Sequence, residues 1–165
     1  MKLDLGLIIE HKPWKMEPFA KKKVIANIIS ETLKAIPAFH SIKDLEIAVL
    51  LTNDEKMQQL NDEFRDKNKP TNVLSFPDVE IKPHELLEFL DAKEYIYIGD
   101  IAVGYDVIKL EAIEAGITMR DHFTHMLVHG ILHLIGYDHM NDKDEKEMMD
   151  LEIRILQRLG IDSPY

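Results

Sequence analysis

Residues 118–135 read TMRDHFTHMLVHGILHLI, and this stretch decides the fold because its helical pattern is apolar nearly all round. A helix of this kind is buried rather than laid on a surface. Its four histidines, His122, His125, His129 and His133, fall within an arc of about 80° on a helical wheel. Buried imidazoles without partners are costly, so we expect a metal ion, carboxylates or water to satisfy this row.

Three histidines at the end of this stretch are spaced to bind one metal ion. His129 and His133 lie four residues apart, so on a helix they are about 6 Å apart along the axis and about 40° apart around it. Gly136 can take the left-handed conformation that ends a helix, and the chain would then return His139 to the same ion. We predict one Zn²⁺ ion, since three protein ligands leave an open position as in catalytic zinc sites. The ligands alone also suit nickel, cobalt, copper or iron.

The composition limits the class of protein. We expect residues 1–165 to form a single domain with its own core. The absence of cysteine excludes thiolate zinc sites and is compatible with a reducing compartment. Neither a secretory signal nor an apolar membrane span is visible, so we expect a soluble, cytoplasmic protein with no membrane partner. The net charge of −10 argues against a polyanionic partner, although residues 21–23 and 65–69 are locally basic.

Hydrophobic periodicity predicts four strands and five or six helices. The strands are expected over residues 2–9, 45–51, 73–76 and 95–103. The helices are expected over residues 18–36, 54–65, 106–115, 118–135 and 142–159, with a partly helical acidic segment over 78–93. The predicted fold class is α/β (α+β), a single domain with a small mixed, mostly parallel sheet. Helices cover this sheet, and the buried histidine-bearing helix lies at the centre.

Other polar residues are weaker candidates for a role at the site. His125 lies one turn before His129, where it could support a ligand, face the substrate or be structural, and His122 is expected to be structural. Asp138 could orient an imidazole or serve only the turn. Asp100 is a weaker candidate for a carboxylate that faces the site.

Gly130 distinguishes this pattern from the metzincin proteases. Their motif, His-x-x-x-His-x-x-Gly-x-x-His, has a glutamate after the first histidine as the general base that activates water. Here Gly130 occupies that position, and it cannot act as a base. RNA suits such a site because it supplies its own charged phosphate and its own 2′-hydroxyl nucleophile.

Several blocks of sequence together resemble the YbeY family of bacterial endoribonucleases, which also occurs in organelles. They are LNDEFR (60–65), KPTNVLSFP (69–77), GDI (99–101), HMLVHGILHLIGYDH (125–139) and GIDSPY (160–165). The resemblance covers most of the chain from about residue 45 onward.

The resemblance implies a single-strand-specific, zinc-dependent endoribonuclease that matures the 3′ end of small-subunit ribosomal RNA and takes part in ribosome quality control. Its partners would be single-stranded RNA, ribosomal RNA and the small ribosomal subunit or associated proteins. His129, His133 and His139 match the family's zinc ligands, and Arg65 matches its functionally important arginine. A guanidinium binds phosphate oxygens in a bidentate manner and stabilises developing charge, and His125 or a nearby carboxylate would move protons.

Two alternatives stay open. A zinc-dependent, peptidase-like hydrolase would need a carboxylate from elsewhere in the chain to replace the missing glutamate. A non-catalytic, zinc-containing module that binds the ribosome would show no turnover.

Overall fold

Four strands form one sheet in the computed structural model, which describes residues 1–165. The strands are β1 (Lys2–Ile9), β2 (Asp44–Thr52), β3 (Val73–Pro77) and β4 (Tyr95–Gly104). Their order is β1-β2-β4-β3, with β1, β2 and β4 parallel and β3 antiparallel to β4. The prediction of a small mixed, mostly parallel sheet is confirmed, and β1 and β3 are its edges.

Six α-helices accompany the sheet. They are α1 (Lys22–Lys34), α2 (Asp54–Arg65), α3 (Leu86–Leu90), α4 (Tyr105–Ala115), α5 (Met119–Leu134) and α6 (Asp142–Arg158). Short 3₁₀ helices occur at Lys12–Met16, Pro18–Ala20, Pro37–Phe39 and Pro83–Glu85. The helix expected over residues 18–36 is therefore divided, because Lys21 is extended between the 3₁₀ turn and α1. None of the helices combines the length and the apolar character that crossing a membrane requires.

One face of the sheet, which we call the α5 face, carries the main core. Alternate strand residues such as Leu5, Ile47 and Val103 point to this face and pack with α1, α5 and α6 in a cluster of 35 buried residues. Most residues of α5 are buried. The prediction of a central, buried, histidine-bearing helix is confirmed.

The opposite face, which we call the α2 face, is covered thinly. Only Met57, Leu74 and Ala102 form a buried cluster there, with Leu60 and a few neighbours packed against it. Toward β1 this face is open, and the side chain of Ile8 is exposed. The sheet therefore has one deep side and one shallow side.

A β-bulge in β4 changes which residues face the main core. Tyr97 pairs with Glu46 and Asp100 pairs with Ala48, so two residues of β4 lie opposite the single Ile47. One of the two is Gly99, whose φ of 127° suits glycine. The bulge lets Ile98 and Ile101, three residues apart, join the same core.

Candidate metal centre

The turn after α5 has the geometry that the sequence predicts. Gly136 has a φ of 101°, its N–H donates to the carbonyl of His133 at 3.1 Å, and the N–H of Tyr137 donates to the carbonyl of Leu132 at 3.0 Å. These two bonds form the glycine-terminated motif that caps helix C-termini. A Cβ at position 136 would lie 1.9 Å from the carbonyl oxygen of Ile81, so only glycine fits. The chain turns back here and brings His139 toward α5.

The structure brings His129, His133 and His139 together, and we call them the histidine triad. One ligand atom from each lies within 4.8 Å of the others. The Nε2 atoms of His129 and His133 are 2.9 Å apart, whereas two nitrogens bound to tetrahedral zinc at about 2.0–2.1 Å are about 3.3 Å apart. A small adjustment of the side chains therefore accommodates one ion. The side chain of His139 is 58% exposed, which leaves this side of the triad open to solvent.

The ionisation of His133 favours metal binding. Burial, together with the proximity of the His129 imidazole, lowers the pKa of His133 to about 4. The imidazole of His133 is therefore neutral near pH 7. Neutral imidazole is the form that binds a metal ion, so no proton has to leave His133 first.

Asp138 serves the turn and lies beside the triad. Its Oδ1 accepts a hydrogen bond from the backbone N–H of His139 at 2.8 Å. The same oxygen lies 3.7 Å from Nδ1 of the His139 ring. Both roles expected for Asp138 are thus compatible with its position.

The residue that the sequence analysis missed is Glu152 of α6. This side chain is fully buried and accepts hydrogen bonds from Nδ1 of His129, from Nε2 of His125 at 3.0 Å and from the hydroxyl of Tyr165. The signal was present in the sequence, because Glu152 lies between Leu151 and Ile155 on the inward side of an amphipathic helix. A carboxylate at such a position requires buried partners.

The surroundings of Glu152 keep it ionised. Burial alone would raise the pKa of this carboxyl, but the hydrogen bonds from His125, His129 and Tyr165 outweigh burial and hold the pKa at about 2. A charged carboxylate thus lies directly behind the triad, on the side away from solvent.

His125 lies behind the triad rather than in it. It is only 8% exposed, and its Nε2 faces Glu152. One turn earlier, Nε2 of His122 lies 3.1 Å from a carboxylate oxygen of Glu111, which also accepts from the side-chain amide of Asn72 at 3.0 Å. The histidine row is therefore satisfied by two carboxylates and the mutual contacts of the triad.

Gly130 lies against the sheet. The hydroxyl of Ser75 in β3 donates to the carbonyl of Gly130 at 2.7 Å. A Cβ at position 130 would lie 3.0 Å from Cγ2 of Val73 and 3.3 Å from Oγ of Ser75. The tight packing of α5 on β3 therefore leaves no room for the metzincin glutamate at this position.

Arg65 and Asp100 belong to the α2 face of the sheet, opposite the face that α5 covers. Arg65 is the last residue of α2, it is exposed, and α2 packs on the α2 face. Asp100 also points to the α2 face, where it accepts a hydrogen bond from the hydroxyl of Tyr97. The expectation that Asp100 faces the site is therefore wrong. In β4, Asp100 points to the same face as Ala102, the α2 face, whereas Ile101 points to the α5 face.

A family model, a curated relative and a solved structure are each similar to this chain over most of its length. The family model described as endoribonuclease YbeY matches residues 9–160. The endoribonuclease YbeY of Acinetobacter baumannii (strain AB307-0294) is 41% identical over 167 residues, covering 100% of this chain and 99% of that protein. The solution structure of TM1509 from Thermotoga maritima has a TM-score of 0.57 at 26% identity and covers 94% of this chain and 89% of its own. With a family match across almost its whole length and the histidine triad in place, the chain belongs to the endoribonuclease YbeY family.

Proposed function

We propose that this protein is a single-strand-specific, zinc-dependent endoribonuclease. The observation that supports it most directly is the convergence of three imidazoles, two from the buried helix α5 and one from the turn after it, while Gly130, the residue after His129, cannot carry a general base. The family model that matches residues 9–160 and the Acinetobacter baumannii relative that matches the whole chain are both named endoribonuclease YbeY. In the proposed site His129, His133 and His139 hold one Zn²⁺.

The chemistry divides between the ion and the protein. When bound, zinc would polarise a phosphoryl oxygen or lower the pKa of bound water. His129 and His133 on α5 and His139 in the turn after it would hold the ion, with His133 already neutral. Arg65 binds a phosphate group of the RNA through its guanidinium and stabilises the charge that develops during cleavage.

The positions of Arg65 and the triad around β3 support a preference for single strands. Gly130 contacts Ser75 on the α5 face, and on the α2 face the ring of Phe64 lies 5.0 Å from the ring of Phe76. Arg65 and His129, the sequence neighbours of Phe64 and Gly130, are therefore placed on opposite faces of this edge strand in the proposed site. A substrate that contacts both must bend around this edge. Single-stranded RNA can do so, whereas a duplex, with a persistence length of the order of 50 nm for DNA, resists such bending.

His125 takes a supporting part in this proposal. A group that moves protons needs to reach the substrate, but His125 is 8% exposed and its Nε2 is held by Glu152. We therefore propose that His125 acts through Glu152 rather than on the RNA itself.

The proposed setting is ribosomal RNA processing in the cytoplasm, with the 3′ end of small-subunit RNA as substrate and a part in ribosome quality control. The net charge of −10 predicts weak affinity for free RNA. Contacts with the small ribosomal subunit or its associated proteins would supply the missing affinity.

The test uses purified protein and single-stranded ribosomal RNA that contains the precursor 3′ end. We expect the native protein with zinc to cleave this RNA and a matched duplex to resist cleavage. His129→Ala should remove cleavage, and Arg65→Ala should reduce kcat/KM about 10- to 100-fold, since a hydrogen bond to a charged group contributes about 1.5–3 kcal/mol.

Three results would count against the proposal. Undiminished cleavage by His129→Ala would assign the activity to a contaminating nuclease. Hydrolysis of peptides but not of RNA would instead indicate the peptidase-like alternative, and ribosome binding without turnover would indicate the non-catalytic module.

A further inference from the structure

Glu152 uses both of its carboxylate oxygens on groups around the triad. Oε1 accepts from Nδ1 of His129, and Oε2 accepts from Nε2 of His125 and from the hydroxyl of Tyr165. The side chain is 0% exposed, so water does not compete for these bonds. A buried carboxylate with three donors is held in one orientation, because any rotation would leave donors and acceptors unpaired.

We propose that Glu152 is a positioning residue for the metal centre, one that fixes both the tautomer and the ring orientation of His129. This inference rests on the metal site of the proposed function. A neutral imidazole carries its proton on one nitrogen and a lone pair on the other. Because Glu152 accepts from Nδ1, the lone pair of His129 lies on Nε2. Nε2 is the atom that lies 2.9 Å from Nε2 of His133 and therefore faces the centre of the triad.

Tyr165 and His125 hold Glu152 in turn. The ring of Tyr165 packs edge-on against the ring of His125, with 5.7 Å between centroids, and its hydroxyl bonds the same oxygen that His125 bonds. Tyr165 and His125 thus orient Glu152, and Glu152 in turn orients His129. In metal sites, removal of a carboxylate that accepts a hydrogen bond from a ligating imidazole typically lowers metal affinity about 10- to 100-fold.

Glu111 provides a matched control on the same row of histidines. Its carboxylate lies 3.1 Å from Nε2 of His122, two turns away from the triad ligands. Glu111→Gln therefore perturbs a carboxylate–imidazole pair between α4 and α5 without touching a ligand. A general effect of losing such a pair would appear in both variants, whereas a positioning effect would appear only in Glu152→Gln.

The experiment measures zinc affinity and histidine tautomers rather than activity. Zinc dissociation constants come from competition with a chromophoric chelator for the full chain and for the Glu152→Gln, Glu111→Gln and Tyr165→Phe variants. Long-range ¹H–¹⁵N spectra of the metal-free proteins report which nitrogen of each imidazole carries the proton. We expect Glu152→Gln to weaken zinc binding about 10- to 100-fold and to lose the pure Nδ1–H form of His129. Tyr165→Phe should weaken binding less, and Glu111→Gln should leave it unchanged.

The outcomes separate this inference from its alternatives. Unchanged zinc affinity and an unchanged His129 tautomer in Glu152→Gln would overturn it, even if the metal-free variant melts at a lower temperature, because that pattern describes a purely structural residue. If Glu152→Gln does not fold, Tyr165→Phe serves as the test, and unchanged zinc affinity in that variant would overturn the inference. Wild-type protein that binds zinc as expected but cleaves no RNA would contradict the proposed function and leave the role of Glu152 intact.

Discussion

The two faces of the sheet differ in the size of their hydrophobic cores and in the proposed site residues that they carry. The α5 face has a core of 35 buried residues and presents His129 and His133, two of the three triad residues, from a helix whose residues are mostly buried. The α2 face has a core of three buried residues, and α2, the helix that covers this face, ends at the exposed Arg65.

The difference follows what each group is proposed to do. Metal ligands must be held within narrow geometric limits, and dense packing with buried hydrogen bonds provides this. A side chain that binds a flexible phosphate backbone needs charge and access more than rigidity, and a thinly packed helix end is sufficient. Three of the four predictions below make the same kind of change on both faces, so that the contrast between them is measured directly, and the other concerns the metal centre on the α5 face.

The largest effect is expected from glutamate at a glycine on each face. In Gly130→Glu the new Cβ would lie 3.0 Å from Val73, and the carboxylate would be forced between α5 and β3. Overpacking and an unpaired buried charge together should cost about 4 kcal/mol or more of the free energy of unfolding. In Gly6→Glu the Cβ makes only ordinary contacts, with Ala48 at 3.7 Å, and Gly6 is exposed on the α2 face. Urea unfolding should show a change below about 1 kcal/mol for Gly6→Glu.

A stable Gly130→Glu protein would show that α5 can move away from β3. Peptide hydrolysis by that variant would show further that position 130 reaches the metal, against the packing described above.

The next effect comes from removing one phenylalanine ring from each face. Phe123 is 0% exposed and packs against Trp14 and Phe19 with centroid distances of 5.3 and 5.2 Å. Phe123→Ala should reduce the free energy of unfolding by about 3–5 kcal/mol. Phe64 is 59% exposed and has one aromatic neighbour, Phe76. Phe64→Ala should cost about 1 kcal/mol or less. Equal losses in denaturant titrations would contradict the contrast between a deep and a shallow core.

Zinc itself should stabilise the α5 face by an intermediate amount. A ligand that binds only the folded state at 100 times its dissociation constant adds about 2.7 kcal/mol, which corresponds to roughly 5–10 °C in Tm for a chain of this length. His133→Ala should abolish the zinc-dependent increase in Tm. His122→Ala should retain that increase, because His122 bonds Glu111 rather than facing the triad. Differential scanning calorimetry with and without a chelator measures both, and a zinc-dependent increase in His133→Ala would place the ion elsewhere.

The parts of the structure that are local in sequence were the parts that the sequence predicted well. The strands, the burial of α5 and the turn at Gly136 all depend on the pattern of neighbouring residues, and each is found as expected. The triad ligands lie within 11 positions of one another, so helix geometry and one glycine suffice to bring them together.

The parts that depend on distant contacts could not be predicted in this way. Glu152 reaches His129 only because α6 packs on α5, and that packing is a property of the tertiary fold. The bulge at Gly99 interrupts the alternation of β4, so Ile98 and Ile101 face one core although a regular strand would separate them. Arg65 and Asp100 belong to the α2 face because α2 covers that side of the sheet while α5 covers the other. The pattern of residues in the strands does not specify which helix covers which side.

The smallest expected effect is the same on both faces, and it tests whether the contrast lies in packing rather than in the helices themselves. Thr118 caps α5 by accepting from the N–H of Asp121 at 3.1 Å, and Asn53 caps α2 by accepting from the N–H of Lys56 at 2.9 Å. Each cap satisfies one backbone donor at a helix start, and this local contribution does not depend on what the helix later buries. Thr118→Ala and Asn53→Ala should therefore each reduce the free energy of unfolding by about 1 kcal/mol. A much larger loss for Thr118→Ala in urea titrations would mean that the start of α5 is coupled to the core and the triad, and the rigidity of the α5 face would then depend on its helix ends as well as on its packing.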